Sequence, residues 1–244
     1  MDRLIYTAAS GARATMLRQD SITQNLANAN TTGYRADQTA FRFVPVRGDG
    51  ATTRVMALEA TAGFDDQSGA IQTTGRNLDI AIKGKGYIAV QTPDGSEGYT
   101  RDGGLDVNAD GVLVVHGGLP VAGEGGALNI PAGSTVNIAE DGTVMAQPQT
   151  GPAQTVGRIK LVNPTPSELR KGEDGLLRLA GGADAPADPE VRIAPGAVEG
   201  SNVNVVDAMV NMISAARQFE YQMKLMQSAE QNDQHAAQLL ASPR

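Results

Sequence analysis

Few residues in this sequence have the types and spacing that enzyme chemistry requires. Its two histidines are His116, which precedes a Gly-Gly pair, and His235, which lies in a polar stretch near the C-terminus. Neither stands in a motif typical of nucleophilic or acid–base catalysis. The adjacent carboxylates Asp65 and Asp66 are the residue type that glycoside hydrolysis uses, but adjacency in sequence does not give the separation required. We therefore expect no catalytic site.

Candidate ligand sites are equally sparse. Residues 106–111 (DVNADG) match the first half of a calcium loop, but the twelfth position, which should be a bidentate acid, is Gly117. A β-turn is the favoured interpretation. Residues 84–86 (GKG) lack the further glycines and the helix of a phosphate loop, and cysteine is absent. We expect no metal and no cofactor.

Composition excludes some partners. The chain has 244 residues, a net charge of −7 and no run of basic residues, so a nucleic-acid partner is not expected. No small-molecule substrate is indicated either. Arg13 and Arg18 interrupt the N-terminal segment, which therefore lacks the apolar region of a signal peptide, and no apolar run is long enough to span a membrane.

Glycine defines the organisation of the chain. Of the 29 glycines, 27 lie within 48–200. Because glycine is unfavourable inside helices and common in turns, the sequence predicts helices at both ends of a turn-rich middle. The predicted segments are an N-terminal helix in 1–33, a connector at 34–71, a β domain at 72–180, a connector at 181–203 and a C-terminal helix in 204–244.

Both terminal segments have apolar stripes at steps of three and four residues, as in a coiled coil. Asn204 is a candidate cap for the C-terminal helix, with Asp207 in its first turn. The predicted N-terminal stripe is Ile5, Ala8, Ala12, Thr15, Ile22 and Leu26. The predicted C-terminal stripe is Val206, Met209, Met212, Ala216, Phe219, Met223 and Met226.

The middle of the chain has the pattern of an all-β domain. Asp-Gly pairs recur at residues 94, 102 and 110, a spacing typical of short strands joined by tight turns. Predicted strands are 78–82, 87–90, 112–115, 135–138, 143–146 and 158–162. The predicted fold class is α+β, with a coiled-coil-like helical domain and a small antiparallel sandwich or barrel.

Three motifs together resemble the flagellar rod and hook family of axial proteins. Residues 24–34 (QNLANANTTGY) look like the family's N-terminal signature. Residues 78–87 (LDIAIKGKGY), followed by 99–103 (YTRDG), resemble its shared central element, and residues 198–204 (VEGSNVN) resemble the segment that opens its terminal helix. The opening MDRLIYTAASG and the chain length favour a proximal-rod member over a distal-rod one.

The resemblance implies a structural subunit of the basal-body rod that assembles into a helical array through its terminal helices. Implied partners are other axial proteins, copies of the same chain and the flagellar export apparatus; the implied location is the basal body, after export without a cleaved signal peptide. The expected assembly residues are Ile22, Asn25, Leu26, Asn28, Thr31, Gly33, Tyr34, Ser201, Asn202, Asn204, Met212, Phe219, Met223 and Met226. Two other classes stay open: a secreted binding module and a periplasmic peptidoglycan hydrolase.

Overall fold

A computed structural model describes residues 4–45 and 55–241. Contacts between Cα atoms divide the chain into two compact units. Of the described residues, unit 1 contains 4–27, 37–45, 55–64 and 204–241, and unit 2 contains 28–36 and 65–203.

Unit 1 is built on the two terminal helices, α1 (Leu4–Ala27) and α2 (Val205–Ala241). The predicted cap of α2 is present, since the Asn204 side-chain oxygen accepts hydrogen bonds from Val206 N at 3.0 Å and Asp207 N at 3.3 Å. Helix α1 ends at Ala27, before a hydrogen-bonded turn in which Thr31 N donates to Asn28 O. Within the described residues, neither helix has an apolar stretch long enough to cross a membrane.

A β-hairpin completes unit 1. Strand β1 (Asp37–Pro45) pairs antiparallel with β2 (Val55–Phe64), and both strands contact α1. This is where the structure differs from the extended connector expected at 34–71. The inward positions of β1 begin with Asp37, Thr39 and Phe41; the alternation then fails at Phe43, which is exposed, and the pairing with β2 shifts register between Ala40 and Phe41. Because some inward residues are polar and the two-residue alternation is interrupted, the hydrophobic pattern that would predict a strand here is weak.

Unit 2 contains the remaining strands, all short. They are β3 (Ile71–Thr73), β4 (Ile80–Lys83), β5 (Tyr87–Gln91), β6 (Glu97–Thr100), β7 (Leu105–Val107), β8 (Leu113–Val115), β9 (Ala122–Gly123), β10 (Gly126–Ala127), β11 (Thr135–Ile138), β12 (Thr143–Gln147), β13 (Gln154–Arg158), β14 (Leu161–Val162), β15 (Leu169–Lys171), β16 (Leu177–Leu179), β17 (Arg192–Pro195) and β18 (Ala197–Glu199). A short 3-10 helix, Pro166–Glu168, precedes β15.

These strands form small antiparallel sheets, none of which closes into a barrel. The largest has the strand order β14-β5-β6-β16-β15, and a second has the order β11-β12-β13. Aliphatic residues from several sheets form one buried cluster that includes Ile80, Val90, Leu113, Val144 and Ile193. The predicted α+β class is confirmed, with a helix at each end and a β region between them.

The evenly spaced Asp-Gly pairs have different roles. The pairs at 94 and 110 form the turns between β5 and β6 and between β7 and β8, and Gly95 and Gly111 have positive φ. The pair at 102 joins two strands that do not pair with each other. There a Cβ on Gly103 would lie 1.6 Å from the carbonyl oxygen of Ile80, so close backbone packing requires glycine.

The candidate calcium segment is one of these turns. The side-chain oxygen of Asn108 accepts hydrogen bonds from Asp110 N at 3.0 Å and Val112 N at 2.8 Å, so it serves the turn itself. No group of three or more metal-binding side chains occurs within 4–45 and 55–241.

Two further segments differ from their predictions. The expected strand at 158–162 is divided between β13 and β14, with Ile159 bridged to Gly123. The expected connector at 181–203 contains β17, which pairs with β4, and β18, which pairs with β3. Strand β18 places the charged Glu199 at a buried position, which conceals the apolar alternation of a strand.

Candidate assembly interface

The two terminal helices pack along a continuous inward stripe of α2. Its members recur at alternating steps of four and three residues, the spacing of a coiled-coil seam. Ala215 and Ala229 are almost fully buried, and the larger Met212, Phe219 and Met226 are half-buried. The inward set is Ala208, Met212, Ala215, Phe219, Gln222, Met226 and Ala229.

Helix α1 meets this stripe with small residues. Ala12 and Thr15 are buried, and a Cβ on Gly11 would lie 2.9 Å from the side-chain nitrogen of Gln222. Thr15 Oγ1 also lies 3.2 Å from Gln222 Oε1. A polar pair therefore occupies the centre of the helix contact, where small side chains allow a close approach.

Three residues belong both to the predicted C-terminal stripe and to the observed seam: Met212, Phe219 and Met226. Val206, Met209 and Met223 are exposed instead. Hydrophobicity alone favoured methionine and valine, whereas the close approach of α1 places alanine and glutamine in the contact. Ile22 and Leu26 of α1 are half-buried.

The end of α1 and the start of β1 are joined by one amide. Asn25 Nδ2 donates to Asp37 O at 2.9 Å, and Asp37 N donates to Asn25 Oδ1 at 2.7 Å. This reciprocal pair imitates the hydrogen bonding of a backbone β-bridge. Asn25, predicted as an assembly residue, thus fixes a backbone contact inside unit 1.

A second group of the predicted residues lies in unit 2, in the segment 28–36. Thr31 Oγ1 lies 3.1 Å from Asn28 Oδ1, and Gly33 N donates to Glu199 O at 2.7 Å. Gly33 has a φ of +68°, and a Cβ there would lie 2.2 Å from the Arg101 backbone. Only glycine satisfies both conditions. The Tyr34 ring faces the Lys171 ammonium at 3.9 Å.

Asn202 holds two chain segments together. Its side-chain oxygen accepts from Ala36 N at 2.7 Å, and its side-chain nitrogen donates to Asp65 O at 3.0 Å and to Gln67 O at 2.9 Å. Ser201 is local by comparison, since its hydroxyl accepts from Val203 N at 3.2 Å. Residues 36 and 65 are the last and first residues of unit 2 on either side of the hairpin.

The same segments meet at a buried ion cluster. Glu199 is 1% exposed and lies 3.0 Å from Arg35 Nη2 and 2.8 Å from Arg101 Nη1, while Gly69 N donates to its Oε1 at 2.9 Å. Arg35 also donates to Gln67 O, and Arg101 donates to Gly84 O at 2.7 Å. We call Arg35, Arg101, Glu199 and Asn202 the linker clamp.

Electrostatics inside the clamp follow from its burial. Burial lowers the pKa of Arg101; Glu199 opposes this effect and the like charge of Arg35 adds to it. Beside the clamp, burial and the hydrogen bond to Asp66 raise the pKa of Tyr87, whose ring lies under the Arg101 guanidinium. A carboxylate shared by two buried guanidiniums is costly to disturb, because removing it leaves two unpaired charges.

The predicted assembly residues therefore fall into two sets. Ile22, Asn25, Leu26, Asn204, Met212, Phe219, Met223 and Met226 lie in unit 1; Asn28, Thr31, Gly33, Tyr34, Ser201 and Asn202 lie in unit 2. Sequence reasoning missed Arg35, Arg101, Lys171 and Glu199. The available signal was that Arg35, Arg101 and Glu199 lie within or beside the three recognised motifs.

The motifs coincide with segments that family models match. Residues 5–35 match "Flagella basal body rod protein", residues 81–146 match "Flagellar hook protein FlgE/F/G D1 domain" and residues 194–239 match "Flagellar basal body rod FlgEFG protein C-terminal". The first contains nearly all of α1, the last contains most of α2, and the central one contains much of the β region.

Curated relatives match over nearly the whole length. The flagellar basal-body rod protein FlgF of Escherichia coli is 45% identical, and that of Salmonella typhimurium is 44% identical, each over 99% of both chains. A rod protein FlgG from Buchnera aphidicola is 32% identical over 96% of this chain and 98% of its own. The chain belongs to the flagellar basal-body rod protein family, in which it is FlgF-like.

Proposed function

We propose that this chain is a structural subunit of the proximal part of the flagellar basal-body rod and that it has no enzymatic activity. The observation that carries the proposal is the 45% identity to FlgF across 99% of both chains. The higher identity to the FlgF proteins of two bacteria than to the Buchnera FlgG supports the proximal over the distal position.

Assembly takes place through the terminal helices. The inward seam of α2 is used within the subunit, whereas several large apolar residues elsewhere on α2 are exposed. Contacts with copies of the chain and with related axial proteins bury them. A contact between two different surfaces that does not close on itself generates a helical array, which is the symmetry a rod requires.

Most of the predicted assembly residues act in one of three ways under this proposal. Ile22, Leu26, Met212, Phe219 and Met226 hold the helix pair in a conformation that can be incorporated, and Met223, which is exposed, contacts a neighbouring subunit. Asn28, Thr31, Gly33, Tyr34, Ser201 and Asn202 fix the segments that connect the two units. These residues then support assembly from within the subunit.

The chain reaches the basal body through the flagellar export apparatus. Its family membership supports this route, because rod subunits assemble outside the cytoplasm. No cofactor, metal, nucleic acid or small-molecule substrate takes part in this role.

Deletion of the gene, with complementation, tests the proposal. Cells without the chain should be non-motile and should yield basal bodies with truncated rods by electron microscopy, and the full chain should restore both. Complete rods in the deletion strain would contradict the proposal. A peptidoglycan hydrolase would instead be revealed by wall-degrading activity of the purified chain, and a binding module by normal rods with loss of a ligand.

A further inference from the structure

Helix α2 has a second apolar surface, away from its seam with α1. Val206, Met209, Val210 and Ile213 are between 49% and 68% exposed, and their spacing of three, one and three residues places them on one side of the helix. We call these four residues the outer ridge. The buried Ala208 and Ala215 lie on the opposite side, so pairing with α1 leaves the outer ridge uncovered.

Unit 1 also contains a concave apolar feature. A cleft of about 520 Å³ lies between α1 and the hairpin, lined mainly by Ala9, Arg13, Ala14 and Leu17 of α1 and by Phe41 and Ala57 of the hairpin. One helical turn before Ala9, Tyr6 is 62% exposed. We call this feature the α1 cleft. Three of the five residues on its helical wall are small (Ala9, Ser10 and Ala14), so a helix with branched side chains can approach closely there.

The two features match in size. Val206 to Ile213 covers seven residue steps of α2, and Ala9 to Leu17 covers eight steps of α1. At about 1.5 Å per residue these lengths are roughly 10 and 12 Å. The outer ridge therefore has the length needed to fill the α1 cleft.

Their charges also suit each other. Helix α1 contains two arginines and one aspartate, for a net charge of +1, whereas α2 contains four acids and two basic residues, for a net charge of −2. Arg13 lines the cleft, and across residues 4–45 and 55–241 no ion pair of its side chain occurs. An acidic helix is thus a more favourable occupant than a basic one.

We propose that the α1 cleft of one subunit receives the outer ridge of α2 from a second copy of this chain. This inference rests on the proposed rod function and identifies one contact that produces the array. Ridge and cleft are different surfaces of the same unit, so after two copies pair, one copy still presents a free cleft and the other still presents a free ridge. The contact is heterologous and continues from copy to copy.

Disulfide cross-linking tests this contact directly, because the chain has no cysteine of its own. The test variant carries Ala9→Cys in the cleft and Ile213→Cys on the ridge. The matched control carries Ala9→Cys with Gln218→Cys, which is also exposed on α2 but lies on another side of the helix. Both are expressed as full chains in cells that lack the native gene, and basal bodies are isolated after mild oxidation.

The proposal predicts a ladder of covalent multimers from the test variant, lost on reduction, and monomers from the control. Monomers from both variants, or equal ladders, in basal bodies that contain the chain would overturn this contact while leaving the rod function intact. Absence of the chain from basal bodies would overturn both. A photo-cross-linking residue at position 213 adds one further outcome: products with a different protein would exclude a second copy as the occupant.

Discussion

At the scale of single residues, charged and amide side chains determine how the connecting segments are held. Glu199 accepts hydrogen bonds from the Arg101 guanidinium and from Gly69 N and forms an ion pair with Arg35, and Asn202 makes three side-chain hydrogen bonds to backbone atoms of two segments. Such buried polar groups are stable only when all partners are present. Substitutions of Glu199 or Asn202 should therefore lower the free energy of unfolding more than similar substitutions of exposed residues.

The first residue-scale prediction concerns Glu199. Glu199→Gln leaves two buried arginines without a counter-charge, so the free energy of unfolding should fall by about 3–5 kcal/mol. Glu140→Gln is the matched control, because the Lys83–Glu140 pair is exposed; it should change stability by less than about 1 kcal/mol. Urea denaturation followed by circular dichroism measures both. Equal effects would contradict the role of the clamp.

Asn202→Ala removes three hydrogen bonds to the backbone without removing a charge. We expect the free energy of unfolding to fall by about 1–3 kcal/mol and hydrogen exchange to accelerate at Ala36, whose N–H loses its acceptor. Asn163→Ala is the control, since Asn163 makes a single exposed hydrogen bond of 3.3 Å. Unchanged exchange at Ala36 would show that Asn202 does not fix this segment.

Asp102 should make the free energy of unfolding depend on pH. Burial raises the pKa of Asp102, with the Gly104 N–H and His116 acting in the opposite direction and Asp79 adding to the rise. A raised pKa favours the protonated carboxyl in the folded state. The protonated Asp102 therefore stabilises the fold at pH values below the ordinary pKa of Asp. This contribution is lost as the pH rises through the raised pKa of the folded state.

Asp102→Asn should therefore match the parent near pH 3 and exceed it in free energy of unfolding near pH 7, since Asn imitates the protonated form. Asp141→Asn is the control with the opposite sign, because hydrogen bonds from Thr143 lower the pKa of Asp141. Denaturation series at several pH values measure the difference. A gain for Asp102→Asn that is the same at all pH values would contradict this explanation.

At the scale of elements, the helix pair is defined by small residues as much as by large ones. Ala215 and Ala229 are 2% and 1% exposed, and Gly11 lies against Gln222. The close approach of α1 and α2 excludes larger side chains from these positions. The apolar exposed residues lie elsewhere on α2, where they are available to a second molecule.

Ala229→Leu tests the close approach. Adding three carbons to a filled contact should destabilise the helix pair by about 1–3 kcal/mol. Ala237→Leu makes the same change at an exposed position of α2 and should have little effect. Thermal unfolding followed by far-UV circular dichroism compares the two. A neutral Ala229→Leu variant would mean that the helices are packed more loosely than the seam implies.

The sequence predicted elements whose cause is local and missed those whose cause is tertiary. The cap at Asn204, the Asp-Gly turns and most central strands follow from side-chain chemistry and period. The hairpin was missed because its inward residues are partly polar, and β18 because Glu199 lies at a buried position. The observed seam of α2 differs from the predicted stripe. Ala215 and Gln222 lie in the seam because of the α1 residues that pack opposite them.

The candidate site was predictable only in part, for the same reason. Asn25 and Asn202 were selected through motifs, but their actual partners, Asp37 and the backbone of residues 36, 65 and 67, are distant in sequence or across a turn. Arg35, Arg101 and Glu199 come from three separate regions of the chain. Only the folded chain brings these charges within hydrogen-bond distance.

At the scale of the whole molecule, the two units have different tasks under the proposed function. Unit 2 is a β structure with an aliphatic core and a buried ion cluster within the subunit. Unit 1 leaves Val206, Val210, Ile213 and Leu225 exposed on one helix. Assembly should therefore change the solvent protection of unit 1 more than that of the unit 2 core.

Hydrogen exchange of α1 and α2 in the free chain and in isolated basal bodies tests this claim most directly. We predict that incorporation slows exchange in both helices by about tenfold or more, while β5 and β12 in the unit 2 core change little. Equal exchange of the helices in the two states would show that the helices gain no burial from neighbouring subunits, and would contradict assembly through the ends of the chain.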